Sequence, residues 1–558
     1  MDAHITRRYF VKGLGLLSAS AALTSCSSGT ETTDATISAE SEEPTGPLVA
    51  IVYTNDTHGH DMEVEATDEN AGNFSMAAVP ALVKDYKSKG YEVLLFDCGD
   101  ANQGMPLVDN SAGDTAFDFM NACNYQLMTL GNHEFDHGPD QIDSYEKKAN
   151  FPLISANVLL KETGERRFEA HKVFDLDCGI KIGVFGLTTP STVTVTSPKS
   201  IAPYSFLDHE DLYACAREQV AELKDEGADI IVCMGHLGNQ KTNRPNTSRE
   251  VIENVEGIDL FIDGHDHKLV EEEVGKTLLV ETGCYMANIG TIVIDGGKPQ
   301  NATVAYGEFT GVDQVVQSVL NDANDQVQKE LNVPLGHSDY YLDGERDHVR
   351  SEETNLGDFL ADALLWGVEQ EAGQEFDGCL VNGGGIRDSI AASDITLLDI
   401  KTVLPFVDET VVLKIGGDKL LEALEASTQS VGLEGTIGAF PQVSDITFTV
   451  DASIEYESDG LYPDSTYAKP KSPGSRVTIQ KIGGQDFDEN KTYSIVTLIF
   501  LCEGGDTYYT FKEAAEAETP ITYGIDFMFV ADYLKIKCAN SIPKEYAEPQ
   551  GRIIIKNL

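Results

Sequence analysis

The sequence predicts an α/β protein of two domains. Its 558 residues exceed what one hydrophobic core normally serves. From Leu48 to about Phe309, short apolar runs of strand length and β-type composition alternate with helical or loop segments. Five of those runs are each followed closely by a polar cluster. Polar residues at the carboxyl ends of strands converge on one edge of a sheet, which is where α/β proteins build sites.

The chain opens on an address rather than on structure. Thr6-Arg7-Arg8-Tyr9-Phe10-Val11-Lys12 resembles a twin-arginine export signal. The mildly apolar stretch from Gly13 to Leu23 is too short to span a bilayer. It ends in Leu23-Thr24-Ser25-Cys26, which resembles a lipoprotein cleavage box. Residues 1–26 are therefore expected to be a twin-arginine lipoprotein signal with Cys26 as the lipidated residue; the alternative is an ordinary signal peptide with a chance cysteine. Residues 27–47, rich in Ser, Thr, Glu and Gly, are expected to be a flexible tether. The expected location is exported, on the cell envelope or extracellular face and anchored to a membrane by lipid, with the twin-arginine machinery as a partner.

The five runs cover residues 48–53, 93–96, 127–130, 230–234 and 260–262. Their clusters are Asn55-Asp56-Thr57-His58, Asp97-Cys98-Gly99-Asp100, Gly131-Asn132-His133-Glu134, Gly235-His236 and Gly264-His265-Asp266-His267. Residues 312–331 have helical spacing and no Gly or Pro, so 312–333 is read as a linker helix between a first domain at 48–311 and a second at 334–558. The second begins with a probable helix at 355–368 and the Gly-rich loop Asn382-Gly383-Gly384-Gly385-Ile386-Arg387.

Composition excludes some partners. Acidic residues outnumber basic ones 92 to 40, a formal charge of -52, so no excess of Lys or Arg exists to displace counterions from a nucleic acid. Ten cysteines form no CxxC pair, which excludes zinc-ribbon and thioredoxin readings. Cys98, Cys233 and Cys379 lie within or beside apolar runs and are expected to be buried thiols.

The clusters supply Asp, His and Asn, an N/O donor set suited to Zn, Mn, Fe or Co. Two divalent cations about 3.5–4 Å apart clamp both the attacking and the leaving oxygen of a phosphoryl transfer. Asp100 is the candidate carboxylate shared between them.

At these residues the sequence resembles the 5′-nucleotidase family, which includes bacterial 5′-nucleotidase/UDP-sugar hydrolase and animal ecto-5′-nucleotidase. The resemblance covers nearly the whole chain after the tether. Asn55-Asp56-Thr57-His58-Gly59, Gly131-Asn132-His133-Glu134-Phe135-Asp136 and Gly264-His265-Asp266-His267 look like its metallophosphoesterase motifs, and Asn382 to Arg387 and Gly504-Gly505-Asp506 like those of its C-terminal domain. The resemblance implies a calcineurin-like four-layer sandwich, two mixed sheets with helices outside, followed by the family's own α/β domain. It implies one metal on Asp56, His58, Asp100 and His267, and a second on Asp100, Asn132, His236 and His265. Some relatives place Gln or Asn at position 267. His60 and His137 match no ligand position and are read as neighbours.

The same resemblance makes His133 and Asp136 a catalytic pair, with Asp136 orienting His133 and water activated by the cations as nucleophile. Arg350 and Arg387 are implied as phosphate binders, Asn382 as a neighbour of the base, Phe406 and Phe500 as the rings that sandwich the base, and Asp506 as the ribose carboxylate. Two departures stand out. Asp358 occupies a position where Asn is commoner, and Val407-Asp408 follows Phe406 where Gly or Asn is usual. The implied activity is hydrolysis of nucleoside 5′-monophosphates, with UDP-sugars or other nucleotides as further substrates. The rival within enzymes is a 2′,3′-cyclic-nucleotide phosphodiesterase/3′-nucleotidase, whose members tend to carry Asn at the position of Asp136. The rival outside enzymes is a non-catalytic nucleotide-binding lipoprotein, which predicts a broken catalytic set.

Overall fold

A computed structural model describes residues 48–558 apart from 67–70, 241–243, 434 and 464. The signal, the tether and Cys26 lie outside the described residues.

Strand Val49–Thr54 is buried on both faces, and its alternating side chains enter two different cores. Val49, Ile51 and Tyr53 point to one side, Ala50 and Val52 to the other. It pairs in parallel with Glu92–Asp97 and antiparallel with Asn288–Asp295. The sheet continues through the short strands Leu127–Thr129 and Leu153–Ile154 on one side and ends at Lys298–Asn301 on the other. A second sheet runs in the order Leu269–Val274, Thr277–Thr282, Leu260–Ile262, Ile230–His236, Lys181–Thr188, His171–Asp175, parallel through its central strands and antiparallel at both edges.

The inward faces of the two sheets meet in one core of Ile51, Phe96, Val184, Val232, Ile262 and their neighbours. The outer face of the first sheet is covered by helices Ala78–Ser88 and Asp114–Cys123, and that of the second by helix His209–Asp225, through Leu212, Ala216, Val220 and Leu223. The result is four layers, helix–sheet–sheet–helix. Central strands covered on both faces explain why the apolar runs read as continuous rather than alternating. The polar clusters therefore leave two sheets at one end of a sandwich, rather than one sheet edge.

The helix expected over 312–331 spans Gln314–Leu331, and Asp313 caps it by accepting from the N–H groups of Val315 and Val316. Its Val316, Leu320, Val327 and Leu331 join the outer core of the first sheet. It is thus packed into the helical layer and not a bare connection.

After it, helix Asn355–Ala372 is buried around most of its circumference. It lies against a five-stranded sheet ordered Pro441–Ser444, Gly378–Asn382, Thr492–Leu498, Glu409–Gly416, Ile521–Ile525, and a smaller sheet around Ile446–Asp451 shares its core. Among the described residues no helix is long and apolar enough to cross a membrane. Cys98, Cys233 and Cys379 are buried free thiols.

Candidate metal centre and active site

The seven expected ligands come together where strands from both sheets end. Five of them leave their strands in the left-handed region that non-glycine residues avoid: Asp56, His58, Asp100, His265 and His267 have φ of 49, 48, 57, 89 and 60°. Each such residue costs about 1–3 kcal/mol and persists only where its surroundings over-determine it, as at functional sites. Glycines make room for the turns. A Cβ at Gly131 would lie 2.2 Å from Asp100 Oδ1, and one at Gly264 would lie 2.8 Å from Asp56 Oδ2.

Three groups of potential ligands result, Asp56/His58/His267, Asp100/His236/His265 and, overlapping both, His58/Asp100/His133, each with its donor atoms within 4.8 Å of one another. His58 Nε2 faces His267 Nε2 at 3.1 Å and lies 3.9 Å from Asp56 Oδ1. Asp100 Oδ2 stands between the groups, 3.8 Å from His58 Nε2 and 3.0 Å from His236 Nε2.

The protonation pattern suits divalent cations. His58 Nδ1 and His236 Nδ1 each lie 2.7 Å from a backbone carbonyl, of Gln103 and Cys98 respectively. A carbonyl only accepts, so both Nδ1 atoms carry a proton and both Nε2 atoms face the centre. Burial holds the imidazoles of His58 and His267 neutral, and that of His265 down to about 3. His236 is drawn the other way: Asp100 and then Asp56 overcome its burial and favour a positive charge there. Asn132 Oδ1 and His267 Nδ1 are buried without a hydrogen-bond partner. Orphaned donors of this kind, beside two buried carboxylates, fit a pair of divalent ions.

Glu134, a motif residue with no assigned role in the sequence reading, holds this arrangement from beneath. It is fully buried, and its carboxylate accepts from the backbone N–H of Asp100, Ala101 and Gly131 at 3.0, 3.0 and 2.7 Å. It ties the loop bearing Asp100 to the loop bearing Asn132 and His133.

The 3₁₀ turn His133–Phe135 brings His133 Nδ1 to 2.6 Å from Asp136 Oδ2, and the His133 N–H donates to Asp100 Oδ1 at 2.9 Å. Burial disfavours a charged imidazole here, but Asp136 and then Asp100 outweigh it and raise the His133 pKa. His60 lies in none of these groups of potential ligands, and its ring stacks on Tyr285 with centroids 4.2 Å apart. His137 lies in the wall of the adjoining cavity.

That cavity, of about 200 Å³, has Asp100, Asn132, His133, Asp136, His265 and His267 on one wall and Arg350, Asn382, Arg387, Phe406, Phe500 and Asp506 on the other. Asp56, His58 and His236 lie buried behind the first wall. Two further residues, absent from the sequence reading, also line it. Arg346 joins Arg350 and Arg387 as a third guanidinium, and Gln103 presents an amide whose Nε2 and Oε1 are both buried and unpartnered. The spacing Arg346–Arg350, one helical turn, was the available signal for the former.

The second wall is electropositive despite the acidic chain. Burial, then the neighbouring guanidiniums of Arg346 and Arg387, push the Arg350 pKa well below its ordinary value. Crowded cations of this kind call for an anion, and guanidinium forks match phosphate oxygens. Asn382 Nδ2 donates to Asp506 Oδ2 at 2.7 Å, and burial raises the Asp506 carboxyl to about 6. The Phe406 ring lies 5.9 Å from that of His133 and beneath the Arg387 guanidinium at 5.6 Å. The walls join at Asp506 N–H, which donates to Thr194 O at 2.6 Å, and at Ser197 Oγ, which donates to Glu503 Oε2 at 2.7 Å.

Residues 49–269 match the calcineurin-like phosphoesterase family, and residues 334–513 match the 5′-nucleotidase C-terminal domain. The chain is 30% identical to the trifunctional nucleotide phosphoesterase protein YfkN of Bacillus subtilis, over 90% of this chain but 35% of that longer protein. It is 29% identical to a 5′-nucleotidase of Vibrio cholerae, over 91% of this chain and 93% of the relative. A crystal structure of a 5′-nucleotidase precursor from Thermus thermophilus superposes with a TM-score of 0.75 at 27% identity, covering 92% of this chain and 100% of that one. With both domain types in the family's order, and a full-length fold in common, the chain belongs to the 5′-nucleotidase family of metal-dependent hydrolases.

Proposed function

We propose that this chain is an exported two-metal phosphoesterase that releases phosphate from nucleoside 5′-monophosphates. The carrying observation is the cavity itself: Asp100 between two groups of potential ligands on one side, and the guanidiniums of Arg346, Arg350 and Arg387 on the other. A divalent pair bound there supplies Lewis acidity toward phosphoryl oxygens and a nucleophile at neutral pH. Asp56, His58, Asp100 and His267 hold one ion; Asp100, Asn132, His236 and His265 hold the other. Arg346, Arg350 and Arg387 bind and orient the phosphate. His133, with its Nδ1 on Asp136, turns Nε2 toward the site and stabilises charge on the phosphate or its leaving oxygen. Phe406 and Phe500 take the base between them, Asn382 lies at the base and Asp506 takes the ribose hydroxyls.

Residues 48–311 and 334–558 act as the metal-bearing and nucleotide-reading domains, joined through the helix within 312–333. The Arg7-Arg8 pair and Cys26 support export followed by lipid anchoring. Asp136, paired with His133, favours the 5′-nucleotidase reading over the cyclic phosphodiesterase. Phosphate release from AMP, 3′-AMP, 2′,3′-cyclic AMP and UDP-glucose, with defined divalent metals, tests it. AMP is expected to be the best substrate and chelation to abolish turnover; preference for the cyclic or 3′ ester would establish the rival.

A further inference from the structure

Val407, between Phe406 and Asp408, has φ of +57°, a strained conformation for a β-branched residue. The kink leaves Val407 43% exposed to solvent while Phe406 and Asp408 both reach the cavity wall. Asp408 also borders the small chamber behind Phe406. Its backbone oxygen accepts from Asp526 N–H at 3.0 Å, but no described residue donates to its carboxyl. The titratable groups around it are all acidic: Glu503, Asp136, Glu409 and Asp526. Burial first, and then these carboxylates, raise it to about 7. An enclosed carboxyl with no cation and no donor is costly unless what enters the cavity supplies the donor.

We propose that Asp408 is a specificity-determining residue that favours nucleotides whose base carries an amino group over those with a keto oxygen at the same position. This rests on the reading of the cavity as a nucleotide site. An amide at position 408 offers both a donor and an acceptor and accommodates either group. Ionised, the carboxyl offers acceptors alone, takes the N–H of adenine or cytosine amines and repels the oxygen of hypoxanthine or uracil; protonated, its O–H donates to that oxygen, so the preference belongs to pH above about 7. The kink at Val407 lets Asp408 and Phe406, two residues apart, line the same cavity.

The test is kcat/KM of the metal-loaded chain, measured at a pH above the Asp408 pKa of about 7, for AMP against IMP and for CMP against UMP, each pair exchanging one amino group for one oxygen. The wild-type chain is expected to favour the amino member of both pairs by about 5- to 150-fold, the scale of one base-edge contact. Asp408→Asn is expected to bring both ratios toward one, and Asp408→Ala to do the same. Equal use of amino and keto partners by the wild-type chain, or ratios unchanged by Asp408→Asn, overturns the proposal. The wild-type ratios decide the question even if a variant fails to fold. If the wild-type chain uses no nucleotide better than a base-free phosphate ester, the nucleotide-site reading falls and the role of Asp408 falls with it.

Discussion

Replacing Glu134 tests whether the metal centre is held from below by the three N–H groups that its carboxylate accepts. In Glu134→Ala the N–H groups of Asp100, Ala101 and Gly131 are left without their acceptor in a fully buried site. Each unsatisfied buried donor costs about 1–3 kcal/mol, so the three together cost about 3–9 kcal/mol. That is a large part of the roughly 5–15 kcal/mol that stabilises a typical domain. Glu134→Gln is gentler. It keeps the shape, but one oxygen becomes an NH₂ facing N–H donors, at a cost of about 1–3 kcal/mol. Hydrogen exchange at the three amides should accelerate by about 5- to 150-fold in Glu134→Gln. Bound metal and turnover should fall with it, because the loop carries Asp100 itself. Wild-type exchange and metal content in the Gln variant would refute the reasoning.

Three further outcomes follow from the site and the address. His133→Asn should cut turnover by about 10²–10⁴-fold with metals still bound, as measured by kinetics and metal analysis side by side. Phe500→Ala should weaken use of AMP through KM by about 5- to 150-fold more than it weakens use of a base-free ester, on the scale of about 1–3 kcal/mol per stacked base; equal losses would make Phe500 a packing residue. Replacing both arginines of the signal, Arg7→Lys with Arg8→Lys, should block export, and Cys26→Ser should release protein from the membrane fraction; unchanged fractionation in both would remove the address.

How much was legible in the sequence depended on whether a residue acts through its own strand or through a distant partner. The five strands and the polar residues that meet at their ends were legible because each such residue follows its strand within a few positions, and the double burial of the sheets left continuous apolar runs. The pair His133 and Asp136 was legible because three-residue spacing closes over one turn. Glu134 was not: its role lies in three backbone N–H groups, two of them more than thirty residues away in sequence. Gln103 and Arg346 acquire meaning only when the two walls face each other. The departure at Val407-Asp408 was visible as an unusual pair, but the left-handed φ of Val407 and the acidic surroundings of Asp408 needed the fold. Strands as short as Leu153–Ile154 carry too few residues for a pattern.

The central claim is that two divalent ions share Asp100. Elemental analysis of the purified, fully active chain tests it most directly, repeated on Asp100→Asn. The account predicts two divalent ions per wild-type chain, with metal content and rate falling together in the variant. One ion or none in fully active wild-type protein would contradict it.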